Sequence, residues 1–259
     1  MVDEADVVAR LRAAGSVFAE DEAQVLAGAS TSPTQLEAML RRRVDGEPLE
    51  VVVGWAEFCG QRVVIEPGVF VPRTRTGVLV TEGARLVGPG AVVVDLCCGS
   101  GAVGLALHAM IRDVELHATD IEPAAVACAR RNLEPIGGTV VEGDLFDALP
   151  ASLVGAVDLL VVNAPYVPTA AIATMPPEAR DHEPMVALDG GVDGVDLHRR
   201  VASEATRWLA PGGHLLIETS RRQAPLTAAA MEAGGLVTRV VTAPEIDGTA
   251  VVGNRVRPA

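Results

Sequence analysis

Four short runs in this sequence carry side chains suited to binding and activating a substrate, each at the end of an apolar stretch. The first is Val94-Asp95-Leu96-Cys97-Cys98-Gly99-Ser100-Gly101. Its glycines let the backbone approach a ligand closely, and a helix starting there favours negative groups. Such a turn also serves nicotinamide enzymes and turns that bind nothing, and the spacing is not a full G-x-G-x-x-G. The second is Asp120-Ile121. A carboxylate placed there accepts hydrogen bonds from both ribose hydroxyls of a nucleoside, or simply caps a helix ahead of Pro123. The third, Asp144-Leu145, offers an acceptor for an adenine amino group and a backbone N–H for a ring nitrogen. Alone it would pass for an exposed loop acid. The fourth is Asn163-Ala164-Pro165-Tyr166, which puts polar acceptors in a crevice beyond a buried strand or makes an ordinary turn.

The elements that must position these runs follow from periodicity. Ala91–Leu96 and Val157–Val162 are continuous apolar runs, as expected of strands buried on both faces. Between and after them the pattern alternates. Strands are expected at Val114–Thr119, Thr139–Glu142 and His214–Glu218, with closing strands at Leu236–Thr242 and Ala250–Arg257. Helices are expected at Ala102–Ile111, Pro123–Leu133, about 194–209 and about 222–233, with an irregular stretch at 164–192. This is an α/β, doubly wound, seven-stranded and mostly parallel sheet with a terminal antiparallel pair. Upstream, helical spacing marks residues 3–14 and 20–28. Ser32 reads as an N-cap with Pro33 in first position and Gln35 as capping-box partner, for a helix running to about Asp45. Glu50–Phe58 and Gln61–Glu66 alternate around Cys59-Gly60 and suggest a β-hairpin. The expected organisation is a helical subdomain at 1–46, a hairpin and linker at 47–77, and the α/β domain at 78–259.

Composition narrows the function. Of 259 residues, 49% are hydrophobic, which excludes a wholly disordered chain. A formal net charge of −13 argues against a general nucleic-acid binder. All 21 basic residues are arginine. The cysteines at 59, 97, 98 and 128 and the five histidines show no metal-ligand spacing, so no metal and no disulfide framework is expected. The acidic, amphipathic start and the lack of a long apolar run lead to the expectation of a cytoplasmic protein with no membrane association.

D-x-x-x-G-x-G, D, D and N-x-P-Y fall in the order that class I S-adenosylmethionine-dependent methyltransferases use, and the chain resembles the HemK/PrmC family. These are protein-(glutamine-N5) methyltransferases that modify peptide-chain release factors and a ribosomal protein. The resemblance covers about residues 18–257. It includes Arg43-x-x-Gly46-Glu47-Pro48-Leu49, Gly54, Phe70-Val71-Pro72-Arg73, Glu183-Pro184, Ala187-Leu188, Gly190-Gly191-x-x-Gly194, Glu218 and Gln223. Three departures mark a divergent branch. N-A-P-Y replaces N-P-P-Y, Thr74-Arg75-Thr76-Gly77 stands where Pro-Glu-Thr-Glu is usual, and the helical subdomain that helps grip the protein substrate is shorter.

The resemblance implies a Rossmann-like class I methyltransferase fold. It implies S-adenosylmethionine as methyl donor, S-adenosylhomocysteine as product, and no metal. Cofactor contacts are expected from Asp95, Cys97, Cys98, Gly99, Ser100, Gly101, Asp120, Ile121, Asp144, Leu145 and Asn163. Catalysis falls to Asn163, Ala164, Pro165 and Tyr166. An amide nitrogen is a poor nucleophile because its lone pair is delocalised. The Asn163 side-chain oxygen and the Ala164 carbonyl would accept its two N–H bonds, Pro165 would keep Ala164 extended, and Tyr166 would pack on the planar group. The implied partner is a protein carrying the target glutamine, such as a translation factor. A small-molecule or nucleobase nitrogen is the alternative acceptor, and a non-catalytic binding module is a third reading.

Overall fold

A computed structural model describes residues 3–176, 180 and 182–257. The N-terminal helices are α1 (Glu4–Ala13), α2 (Ala19–Ala29), α3 (Pro33–Val44) and the short α4 (Leu49–Val53). They bury Leu11, Leu26, Leu40 and Val52 in an apolar cluster separate from those of the sheet. Ser32 caps α3 by accepting from the Gln35 N–H at 3.2 Å. The expected reciprocal bond reaches one residue further back, because Gln35 Oε1 accepts from the Thr31 N–H at 2.7 Å. Residues 49–53 are helical, which corrects the expectation of a strand beginning at Glu50. The run Leu-Glu-Val-Val-Val suits a strand by propensity, but Gly54 at φ 83° closes a helical turn through its N–H to the Glu50 carbonyl at 2.8 Å. The hairpin is therefore shorter: β1 (Trp55–Phe58) against β2 (Gln61–Val64).

After α5 (Gly77–Leu86) come β3 (Val92–Leu96), α6 (Ala102–Ile111), β4 (Glu115–Asp120), α7 (Pro123–Leu133), β5 (Thr139–Glu142) and β6 (Val157–Val162). The chain closes with α8 (Asp196–Trp208), β7 (Leu209–Glu218), α9 (Ala224–Ala233), β8 (Val237–Ala243) and β9 (Gly248–Asn254). The sheet order is β5-β4-β3-β6-β7-β9-β8, parallel through β7, with β9 antiparallel to both neighbours. Strand β7 starts earlier than expected. Pro211-Gly212-Gly213 lies inside it as an irregularity, and the register against β6 shifts between Val157 and Leu159.

The side-chain period of two splits the sheet into two apolar layers. Val93, Leu159 and Val161 pack with Leu79, Leu107 and Leu133 from α5, α6 and α7. Val94, Leu96, Leu160 and Val162 pack with Ala202 and Trp208 of α8 and Met231 of α9. With both faces covered, the crevice beyond the carboxyl ends of β3 and β6, where strand order reverses, is the place for a ligand. The four sequence runs lie around that crevice.

Candidate active site

A cavity of about 630 Å³ opens there, within the size range of small-molecule sites. Asp95, Cys97, Cys98, Gly99, Ser100, Asp120, Ile121, Asp144, Leu145, Asn163 and Pro165 all line it. Gly101 stands behind the turn: it has φ 77°, and a Cβ there would lie 2.9 Å from Leu133, so only glycine fits. Asp120, at the end of β4, is held from two sides. Its Oδ2 accepts from the Gly99 N–H at 2.8 Å and its Oδ1 from the Glu122 N–H at 3.0 Å. Burial raises its pKa, against these backbone donors. The capping and ribose readings are therefore compatible, because each carboxylate oxygen keeps acceptor capacity.

Asp95 is 2% exposed, and its Oδ2 accepts from the Gly104 N–H at 3.0 Å, which fastens the start of α6 to β3. Burial pushes its carboxyl up to about 7. Burial likewise raises the Cys97 and Cys98 thiols, so neither is a ready thiolate. Asn132 ties this turn to the hairpin. Its Nδ2 donates to the Ser100 and Val64 carbonyls at 2.9 and 3.0 Å, and its Oδ1 accepts from the Val64 N–H at 2.9 Å. On the adenine side expected from the sequence, Leu145 takes φ 51°, and its carbonyl accepts from Thr119 Oγ1 at 3.0 Å. Asp144 pairs with Arg200 of α8 at 2.8 Å, on the cavity rim. Asn132, Gly104 and Arg200 carried no signal in the sequence motifs.

The other end of the crevice is built from distant segments. A smaller cavity, about 60 Å³, shares Phe70, Asn163, Pro165 and Ala187 with the large one and adds Arg73, Arg75, Ala164, Tyr166, Glu183 and Glu218 to its walls. Asn163 Nδ2 donates to Thr76 Oγ1 at 3.4 Å, and among the described residues nothing donates to its Oδ1. Ala164 is 1% exposed. Tyr166, the chain's single tyrosine, donates from its hydroxyl to Glu218 Oε1 at 3.1 Å. It accepts from Arg75 Nε at 3.0 Å, and the same Nε reaches Glu218 at 3.3 Å. Burial raises the Glu218 carboxyl; the Thr76 hydroxyl and the Arg75 charge oppose the rise. The Tyr166 phenol is pushed up by burial and by Glu218. Arg73 pairs with buried Glu183.

Tyr166 is held from behind as well. Gln223 Nε2 donates to its carbonyl at 2.7 Å and to the Asp193 carbonyl at 3.0 Å. The Gly190–Gly194 loop lies directly against it: a Cβ at Gly190 would lie 2.7 Å from the Tyr166 Cα, and one at Gly194 2.3 Å from its carbonyl oxygen. These glycines and Gln223 fix the backbone of the fourth motif.

The family described as "Methyltransferase small domain" matches residues 62–176. The chain is 39% identical over 198 residues to the release factor glutamine methyltransferase of Geobacter sulfurreducens, covering 74% of this chain and 69% of that protein. It is 37% identical over 210 residues to the 4-amino-L-phenylalanine/4-methylamino-L-phenylalanine methyltransferase of Streptomyces pristinaespiralis, covering 78% and 71%. Among solved structures, a methyltransferase from Pyrococcus furiosus superimposes with a TM-score of 0.55 at 14% identity, covering 76% of this chain and 90% of the other, and shares the fold.

Proposed function

The chain belongs to the release factor glutamine methyltransferase family of S-adenosylmethionine-dependent methyltransferases, and on that premise we propose that it methylates a glutamine side-chain amide in a protein, with a translation release factor as substrate. The observation that carries this reading is Asn163, whose Oδ1 stands unengaged where the large and small cavities meet. A donor bound in the large cavity and an acceptor entering through the small one would meet at that residue.

The large cavity fits S-adenosylmethionine in kind. Asp120 offers the ribose an acceptor already oriented by two backbone donors. Asp144 and the Leu145 backbone stand where the adenine edge would lie, and Ile121 and Leu145 supply apolar wall. When bound, the donor supplies an electrophilic methyl group on a sulfonium. Asn163 Oδ1 and the Ala164 carbonyl accept the two N–H bonds of the amide, turn its lone pair toward the methyl and hold the nitrogen in line. With the donor bound in the large cavity, transfer would join its methyl carbon to that nitrogen and release S-adenosylhomocysteine, and the displaced proton would pass to water. The chain's part is alignment and electrostatics. Alanine in place of the first proline of the family motif keeps the carbonyl, and Pro165 still holds Ala164 extended. The helices of residues 1–46 are the part we assign to gripping the protein substrate. Among the described residues no helix is long and apolar enough to cross a membrane.

The test is methyl transfer from labelled S-adenosylmethionine to a purified release factor, with the label located by peptide mapping. Label on a glutamine amide supports the proposal. Label on 4-amino-L-phenylalanine but on no protein replaces it with an arylamine acceptor.

A further inference from the structure

Arg75 is the feature of the acceptor cavity that the methyl-transfer chemistry does not use. Its Nε is fully engaged, by the Tyr166 hydroxyl at 3.0 Å and by Glu218 at 3.3 Å. Glu218 is 1% exposed, so the guanidinium is held along one edge by a buried partner. Among the described residues nothing accepts from its two terminal amino groups, although the side chain is 46% exposed and lines the cavity. A planar guanidinium held at Nε still presents its terminal edge, two parallel N–H bonds with the spacing of a carboxylate. The neighbouring Arg73 differs, because it already gives a terminal amino group to Glu183.

Resting on the reading of this cavity as the acceptor site, we propose that Arg75 is a specificity residue that receives a carboxylate of the methyl acceptor, set apart from the nitrogen that is methylated. The separation follows from chemistry. A guanidinium bonded to the oxygen of the reacting amide would draw the nitrogen lone pair further into the carbonyl and weaken the nucleophile. A carboxylate elsewhere on the acceptor gains a charge-assisted, bidentate pair without that penalty. The charge there is permanent, since arginine does not deprotonate in the working pH range. Such a carboxylate has two sources: an acidic side chain beside the target glutamine, or the α-carboxylate of a free amino acid.

The experiment is calorimetric titration of the protein saturated with S-adenosylhomocysteine, using two matched pairs. One pair is a glutamine peptide with aspartate next to the glutamine and the same peptide with asparagine. The other is 4-amino-L-phenylalanine and its methyl ester. The expected result is about tenfold or greater tighter binding of the carboxylate member in at least one pair. R75Q removes the preference, and R75K keeps part of it, having the charge but not the fork. Preference in the peptide pair assigns the flanking acid, and preference in the amino-acid pair assigns the free acid. Equal affinity within both wild-type pairs, no binding of any of the four, or an undiminished preference in R75Q overturns the assignment. Methyl transfer, read separately, reports on glutamine methylation itself. Carboxylate preference without glutamine methylation fails only that reading, and glutamine methylation without carboxylate preference fails only the Arg75 assignment.

Discussion

The two ends of the crevice are built in opposite ways. At the end we assign to the cofactor, the two carboxylates at the glycine turn bond to backbone close in sequence or on an adjoining strand, and the long-range side-chain pair there, Asp144 with Arg200, lies on the rim. Asp120 takes N–H groups from Gly99 and Glu122, and Asp95 takes one from Gly104. At the acceptor end the bonds join side chains far apart in the chain, such as Arg75 to Glu218 across 143 positions and Arg73 to Glu183 across 110. Backbone-anchored carboxylates depend on the course of the sheet, which any working sequence must keep. Paired side chains can be exchanged together without disturbing a strand. One fold can thus keep its donor end while its acceptor end changes, and two relatives of this chain carry the names release factor glutamine methyltransferase and 4-amino-L-phenylalanine/4-methylamino-L-phenylalanine methyltransferase.

Four measurements would sharpen or break this contrast. The largest effect is expected at Asn163. Removing its oxygen should lower kcat by roughly 100-fold or more, as loss of one preorganised group does in oxyanion holes. The S-adenosylmethionine Kd, measured by calorimetry, should move little. A large change in Kd with kcat intact would erase the division between the two ends.

Next is Asp120→Ala, which should weaken S-adenosylmethionine binding about 10- to 100-fold by deleting charge-assisted bonds to both ribose hydroxyls. Unchanged affinity would remove Asp120 from the cofactor site.

Third is pH. Folding raises the Asp95 pKa from its ordinary value of 3.8 to about 7, mainly through burial. The folded state then binds the proton more tightly, so the associated stability is complete below about pH 4 and is lost as pH rises toward 7. The slope should be at most about 1.4 kcal/mol per pH unit. Denaturant titrations across that range should show the decline in the wild type and a flatter curve for Asp95→Asn. Parallel curves would mean that Asp95 ionises freely.

The smallest effect is expected from replacing Cys97 and Cys98 together with alanine. Both thiols are held protonated by burial, so methyl transfer should stay within about tenfold of wild type, a barrier change below about 1.4 kcal/mol. A steeper loss would give the thiols a role that no other feature of the turn suggests.

The same contrast explains how much was readable in advance. Strand ends near Leu96, Asp120, Glu142 and Val162 follow from apolar runs, and residues just beyond them line the large cavity. At the other end a strand-end signal exists only at Asn163–Tyr166; Phe70, Arg73, Glu183, Ala187, Glu218 and Gln223 were legible only through the family resemblance. Arg75 stood out as a departure from a family pattern, but its bonds to Tyr166 and Glu218 depend on the packing of α5 beside β7 and have no local signature. Asn132 is similar: an asparagine within a helix carries no hint that it clamps a hairpin to a glycine turn. The correction at Glu50–Val53 has a different origin. β-Branched residues favour a strand, yet Gly54 ends a helical turn there and overrides a preference worth only tenths of a kcal/mol per residue.

That Tyr166 is the only tyrosine in the chain also makes the acceptor cavity observable by itself. Uniform incorporation of a fluorinated tyrosine would place one fluorine label in the whole protein, with its hydroxyl against Arg75 and Glu218. A single resonance would then report on that end of the crevice alone. Filling the ribose and adenine part of the large cavity should shift it less than a ligand touching Arg75, so occupancy of the small cavity could be followed without knowing what the enzyme methylates.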